Sequence, residues 1–368
     1  MKAFTKKKSK NILCVLISIL FCIAAAIGGL MLYAKMQISK IPALSFREAL
    51  VYTTHDNPDA VITVGFIKDG AASYTVYGSD GEELPNELHT YEIGSLTKTF
   101  TAALIQKAVL DGKISIDDTL DRYLELPAGN NYPTIRELLT HTSGYRGYYL
   151  EKPMIQNHLQ GKNDFYGVTK AMILDRVRKL DMSQEEYDFC YSNFGYAVLG
   201  LVLEVVYETD YTSLLNDFAA NELGLANTHI SDQTGDLGNN WDWQAQDAYI
   251  PAGAITSDMQ DMLRYAEMQL DGDEPFSSCH ESIRTIHASS QDYQTMGIYM
   301  DEIGMAWIID NENGIVWHNG GTGNYNSYLG FDKENGTAVV ILSNLPPDYR
   351  IPATVLGMKL MEETRRND

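Results

Sequence analysis

Residues 91–100 read YEIGSLTKTF. The run that continues them, TAALIQKAVLDGK, carries Phe100, Leu104 and Ala108 at helical spacing and stops at Gly112. Ser95 therefore opens a helix that follows a strand-like segment. Lys98 lies three residues on, on the same helix face, where β-carbons sit about 5–6 Å apart. A helix N-terminus favours negative charge, so an alkoxide or oxyanion at Ser95 is stabilised. Partial burial lowers a lysine pKa and makes the amine usable as a base. Alone the pattern is weak, because about one Ser-x-x-Lys is expected by chance in a chain of this size. Its weight depends on what surrounds it.

Working outward, strands flank a helical middle. Ser45 with Glu48 forms a capping box that opens a first helix, SFREALVYTT. AVITVGFI and ASYTVYG follow as strands, joined through Asp69-Gly70, a strong hairpin signal. Thr134 with Glu137 is a second capping box. VTKAMILDRVRKL, FGYAVLGLVLEVVYE, SLLNDFAANEL and SDMQDMLRYAEMQL all show helical apolar spacing. Strand patterns return in IGMAWII, GIVWHNG, YNSYLGFD and TAVVILSN, with turns at Asn313-Gly314 and Asn335-Gly336, and ATVLGMKLMEE closes the chain as a helix. The pattern predicts an α+β fold. One antiparallel sheet is built from both ends of the chain, flanked by the N- and C-terminal helices, with a mostly helical subdomain inserted at about 118–290. A cleft is expected between the two parts.

The first residues differ from the rest. Lys2, Lys6, Lys7, Lys8 and Lys10 make residues 1–10 a basic cytoplasmic N-terminus. The stretch 11–34 carries no charge from Ile12 to Ala34, and as a helix it is roughly 34 Å long, enough to span a bilayer core. The expectation is a single-pass signal anchor at the cell membrane, then a linker over 35–44 and one large domain over 45–368 outside the cytoplasm. A cleaved signal peptide is the competing reading, since Ala24–Ala26 are small. The 368-residue chain has a formal net charge of -21, so nucleic acid is not an expected partner. Cys190 and Cys279 are the cysteines outside the span; separate buried thiols are favoured over a pair.

Two further stretches carry chemistry. In FCYSNFGY, Tyr191 and Asn193 are one residue apart, and an extended segment points both the same way. A phenol relays a proton, while an amide holds a substrate carbonyl or orients a lysine. Asn193 also suits the N-cap of the helix that follows. In WHNGGTGNYNSYLGFD, His318 ends a strand, and its glycines let another backbone approach the strand edge. The N–H of Gly321 can complete an oxyanion hole with that of Ser95. No His-Glu-x-x-His and no Cys/His cluster is present, so neither a metal nor another cofactor is expected. No Gly-x-Ser-x-Gly elbow is present either.

Ser-x-x-Lys, then Tyr-Ser-Asn, then a basic residue-x-Gly on a late strand is the order found in the serine β-lactamases and penicillin-binding proteins. The chain resembles the branch with class C β-lactamases, D-alanyl-D-alanine carboxypeptidases and related esterases. The resemblance runs from 45 to 364 through IGSLTKTFTA, LLTHTSGY, YSNFGYAVLG, PAGAITSDMQDM and HNGGTGNYNS. It implies Ser95 as acylated nucleophile, Lys98 and Tyr191 as the proton-handling pair, and Asn193 as substrate amide ligand. His318 stands where β-lactamases usually carry lysine, Gly320 is the motif glycine, and Gly321 supplies the oxyanion-hole N–H. The substrate implied is a small amide or ester, with a D-Ala-containing cell-wall peptide as leading case and a β-lactam or general ester as alternative. A non-catalytic envelope protein that binds peptidoglycan fragments or a partner is the alternative of another class. Two departures bear on the substrate. A histidine holds a carboxylate as a cation only below its pKa, about 6.5 when unperturbed, and the Pro-Gly usual before Tyr-Ser-Asn is absent. His141, in LLTHTSGY, reads as structural, because the lysine already fills the base role.

Overall fold

The computed structural model describes residues 39–183 and 186–366. The chain divides into two units, 1–44 and 45–368. Of the first, the described part is 39–44, with a 3-10 turn at Ile41–Ala43. The anchor expected over 11–34 lies outside the described residues. Among those described, no helix is long and apolar enough to cross a membrane.

In the second unit, helix α1 (Phe46–Thr54) opens on the capping box: Glu48 N–H donates to Ser45 Oγ at 3.2 Å, and Ser45 N–H donates to Glu48 Oε2 at 2.8 Å. Strands β1 (Ile62–Lys68) and β2 (Ala71–Tyr77) follow. Asp69 and Gly70 between them both have positive φ, as a type I′ turn requires. Short strands β3 (Glu83–Leu84) and β4 (Tyr91–Glu92) lead to α2 (Thr97–Leu110). The middle of the chain supplies α3 (Ile135–Leu139), α4 (Lys152–Leu159), α5 (Lys170–Val177), α6 (Asn193–Tyr207) and α7 (Tyr211–Asp217). Then come β5 (His229–Ile230), α8 (Ile250–Gly253), β6 (Ile255–Ser257), α9 (Met259–Asp271) and α10 (Phe276–Cys279). The last part holds β7 (Arg284–Thr285), α11 (Gln291–Thr295), β8 (Glu302–Ile303), β9 (Ile308–Asp310), β10 (Ile315–Gly321), β11 (Asn326–Asp332), β12 (Thr337–Ser343) and α12 (Ala353–Arg366).

The main sheet is antiparallel in the order β3-β2-β1-β12-β11-β10-β9-β8-β7, so the two ends of the chain meet where β1 pairs with β12. Every residue of β11 and β12 is buried, because both sheet faces are covered. Gly65 on one face meets Met259 and Leu263 of α9, and Tyr328 on the other meets Gly357 of α12. A small sheet, β4-β6-β5, fixes the strand ahead of Ser95 through Tyr91↔Ser257 and Glu92↔Thr256.

Two local patterns resolved differently from their periodicity. IGMAWII is not one strand: it breaks between β8 and β9. There Met305 N–H donates to Cys279 O at 2.9 Å and Ala306, at φ 70, donates to Leu139 O at 3.3 Å. Those distant carbonyls take the N–H groups a strand would have used in its ladder. Helix α2 is buried all round rather than along one stripe, from Thr97 to Gln106 and again at Ala108. Its threonines make this possible by satisfying themselves: Thr99 Oγ1 donates to Leu96 O at 2.8 Å, and Thr97 Oγ1 accepts Ile255 N–H at 3.1 Å. Cys190 and Cys279 are free thiols, the first exposed and the second buried.

Candidate active site

Ser95 lies in a 3-10 turn, Gly94–Leu96, between β4 and α2. Hydrogen bonds to Ile93 hold this turn on two sides. Ile93 N–H donates to Ile255 O of β6 at 3.0 Å, and Ser327 Oγ of β11 donates to Ile93 O at 2.8 Å. The end of β10 presses against it. A β-carbon on Gly94, whose φ is 52°, would lie 2.5 Å from Gly321 N, and one on Gly320 would overlap Ile93 O. One on Gly321 would sit 2.5 Å from Pro347 Cγ. The backbone approach expected from the glycines is therefore present, and it puts the Gly321 backbone beside the nucleophile turn.

Lys98, in the first turn of α2, is fully buried. Its Nζ donates to Ser95 Oγ at 2.9 Å and to Ala252 O at 2.7 Å, and sits 4.9 Å from the ring centre of Tyr191 and 5.6 Å from that of Tyr196. Burial drives its pKa well below the usual lysine range, and no neighbouring carboxylate raises it again. Burial thus favours the neutral amine next to the serine.

Tyr191 is 39 % exposed, with its ring open to the cleft, while its hydroxyl is desolvated. Desolvation pushes the phenol pKa up, and a hydrogen bond with the Ser95 side chain acts the other way. The phenol keeps its proton at neutral pH and can pass one on. Ser192, not Asn193, is the N-cap of α6: Gly195 N–H donates to Ser192 Oγ at 2.9 Å. A serine just before the first helical residue performs the cap and leaves the Asn193 amide without that duty. Asn193 is half-buried and makes no side-chain hydrogen bond among the described residues.

His318 is 3 % exposed, and burial disfavours the cation that a carboxylate-holding role would need. Its Nδ1 lies 2.6 Å from Asn319 O, a pure acceptor, so Nδ1 carries the hydrogen and Nε2 is a bare acceptor. Burial, then the nearby Lys98, lowers its pKa to about 3. Asn319 points the other way along the strand, with Nδ2 donating to Thr354 Oγ1 of α12 at 2.9 Å.

These groups open onto a cleft of about 310 Å³. Ser95, Tyr191, His318, Gly320 and Gly321 line it, whereas Lys98 stands behind the serine and Asn193 is not part of the wall. Apolar side chains, Phe189, Met300, Ile308 and Trp317, make up much of the remainder, together with His141, Tyr293 and Asn319. No Asp, Glu, Lys or Arg occurs among the described residues that line it. Elsewhere, His55, Asp56 and Asp80 form an exposed group of potential metal ligands. The two carboxylates already engage both imidazole nitrogens, at 2.6 and 3.2 Å, and none of the three lines the cleft.

The model of the beta-lactamase family matches residues 57–356, most of the chain. The chain belongs to the beta-lactamase family. Among curated relatives, Protein flp of Staphylococcus aureus (strain N315) is 23 % identical over 278 residues, covering 70 % of this chain and 53 % of that protein. A beta-lactamase of Pseudomonas fluorescens is 23 % identical over 349 residues, covering 83 % and 94 %. This beta-lactamase-family chain spans about half the length of the first of these. The solved beta-lactamase/D-alanine carboxypeptidase of Yersinia pestis, complexed with citrate, superposes with a TM-score of 0.67 at 18 % identity, covering 90 % of this chain and 99 % of that one. At that identity the likeness speaks for the fold.

Sequence reading missed several groups that shape the site of this family member. The acceptor for Lys98 is a main-chain carbonyl, Ala252 O, which no side-chain pattern reveals. Glu92, adjacent to the nucleophile turn, is buried and accepts from Thr322 Oγ1 at 2.6 Å and Trp241 N–H at 2.7 Å. His141 lines the cleft, although its sequence suggested a structural role.

Proposed function

We propose that this chain is a serine hydrolase that passes through an acyl-enzyme on Ser95 and acts on a small ester or amide without a charge beside the scissile bond. The observation that carries this reading is the buried Lys98 amine, 2.9 Å from Ser95 Oγ, where desolvation disfavours its charged form. As Ser95 Oγ bonds to the substrate carbonyl carbon, its proton passes to Lys98 Nζ. The carbonyl oxygen becomes an oxyanion between the N–H groups of Ser95 and Gly321. When the bond to the leaving group breaks, the leaving group takes a proton from the Tyr191 hydroxyl, and the Lys98 ammonium replaces it. Water then attacks the ester by the reverse route, which returns the serine.

The cleft lining favours uncharged substrates within the family's range. A peptide ending in D-Ala presents a carboxylate near the scissile bond, as does a β-lactam. The lining supplies no lysine or arginine, and His318 is neutral with a lone pair facing outward. A carboxylate there meets an acceptor and apolar walls, and desolvation without a partner is unfavourable. An ester or amide counterpart loses nothing.

The test has two arms. Mass spectrometry after a serine-reactive phosphonate should place a single adduct on Ser95; an adduct elsewhere, with Ser95→Ala still active, rejects the acyl-enzyme. The kcat/KM values for a matched acid and methyl ester should favour the ester at every pH from 5.5 to 8. A preference for the acid rejects the uncharged-substrate reading and restores the D-Ala peptide. The lysine block and uncharged run of residues 1–34 support a further reading, a membrane-tethered enzyme facing outward. Protease added to intact protoplasts should then degrade the domain.

A further inference from the structure

His141 follows α3 and is 1 % exposed, with φ 58°, a left-handed conformation uncommon outside glycine that asparagine, aspartate and histidine enter more often than other residues. Its contacts all converge on one short segment. The main-chain oxygen of His141 accepts Cys190 N–H at 2.8 Å, and ring Nδ1 accepts Ser192 N–H at 3.0 Å. The two bonds bracket Tyr191 on either side along the chain. The imidazole also packs against that residue, with ring centres 4.5 Å apart and a 40° tilt, and lies 5.1 Å from Tyr196.

The ring has one usable form. Because Nδ1 accepts from a backbone N–H, the hydrogen must be on Nε2. Burial, with Lys98 and His318 nearby, keeps the imidazole neutral. A proton on Nδ1 would break the bond to Ser192 and place a cation beside Lys98. Nε2 has no partner and is buried. A histidine kept only for packing has no reason to combine a left-handed backbone, an orphan N–H and a fixed tautomer in the wall of the catalytic cleft.

We propose that His141 is a positioning residue that acts through Tyr191: it clamps the backbone on both sides of the phenol and so aims the hydroxyl at Ser95. The inference rests on the Ser95–Lys98–Tyr191 reading above. It goes beyond that reading by adding a residue that touches neither serine nor lysine.

The experiment compares His141→Asn with His141→Gly. Both tolerate positive φ, glycine the more easily, so any backbone strain weighs against asparagine and not against glycine. Asparagine keeps an acceptor near the Nδ1 position; glycine keeps none. Acylation of Ser95 by a p-nitrophenyl ester is followed as burst rate and as kcat/KM, with thermal melting for each variant. Glycine should lower the burst rate by about a hundredfold and asparagine by less than about tenfold, with KM nearly constant. The decisive measurement repeats both changes with Tyr191→Phe. If His141 works through the phenol, His141→Gly should then cost less than about twofold, since coupled residues are not additive. A full loss in both backgrounds overturns the proposal, as does equal loss with asparagine and glycine that tracks melting temperature. If Tyr191→Phe alone leaves acylation unchanged, the proton-relay reading falls too, which separates the two failures.

Discussion

Replacing Glu92 with glutamine should stabilise the protein at pH 8 and leave it nearly unchanged at pH 4.5. Glu92 is 2 % exposed, and burial raises its pKa to about 7 from an ordinary 4.5 against the pull of its hydrogen bonds to Thr322 and Trp241. The folded protein thus holds this proton more tightly than the unfolded chain does. For a carboxyl raised in this way, the contribution to stability is complete below about pH 4.5 and is lost as pH rises through about 7. A shift of that size corresponds to about 3 kcal/mol at pH 8. Glutamine has the same shape, cannot ionise and still accepts from Trp241 N–H, while the Thr322 hydroxyl can turn to accept from the amide. The assay is urea unfolding of wild type and Glu92→Gln at both pH values. The readout is the difference of differences, so other titrating groups cancel. The expected gain is about 2–3 kcal/mol on moving from pH 4.5 to 8. A gap between the two proteins that stays constant with pH would show that Glu92 is ionised throughout and refute the burial argument.

Other outcomes follow from the same physics. Lys98→Met should abolish acylation, and its stability relative to wild type should fall as pH rises towards the ordinary lysine range, because burial lowers the folded-state pKa of Lys98 and wild type therefore gains stability with pH while the methionine variant does not. A flat difference in urea unfolding would mean that Lys98 is charged in the fold. Gly320→Ala should lower kcat by about a hundredfold or more and destabilise by about 2–4 kcal/mol, since its methyl group overlaps Ile93 O; near-normal kinetics would show that the seam yields. His318→Gln should leave the shape of the kcat/KM profile between pH 5 and 8 unchanged, because the wild-type imidazole titrates near 3. Loss of a limb near pH 6.5 would restore the cationic histidine.

What the sequence revealed was whatever short spacing encodes. The capping boxes at Ser45 and Thr134, the Asp69-Gly70 turn and the Ser95–Lys98 pair each rest on contacts within a few residues, and each formed. What it concealed depends on distant partners. Nothing near His318 announces that it is buried, so the sequence left its charge open. Nothing near His141 announces a bond to Ser192, 51 residues on. The strand pattern at 303–309 was interrupted by carbonyls of Leu139 and Cys279. The glycines of β10 fall between: their composition indicated a close backbone approach, but only the fold showed that the neighbour is the nucleophile turn.

That approach leaves no clearance for a side chain at Gly94, Gly320 or Gly321. Ser95 and the backbone of Gly321, the proposed nucleophile and oxyanion donor, are thereby parts of one continuous floor rather than two surfaces that must meet on binding. Such a floor has little freedom to drift as substrates change. The walls opposite come from Phe189, beside the Tyr191 segment, and from Met300, just before the broken β8–β9 strand; neither is tied into the glycine seam. New specificities in this scaffold should therefore arise by exchanging wall residues around a floor that stays the same.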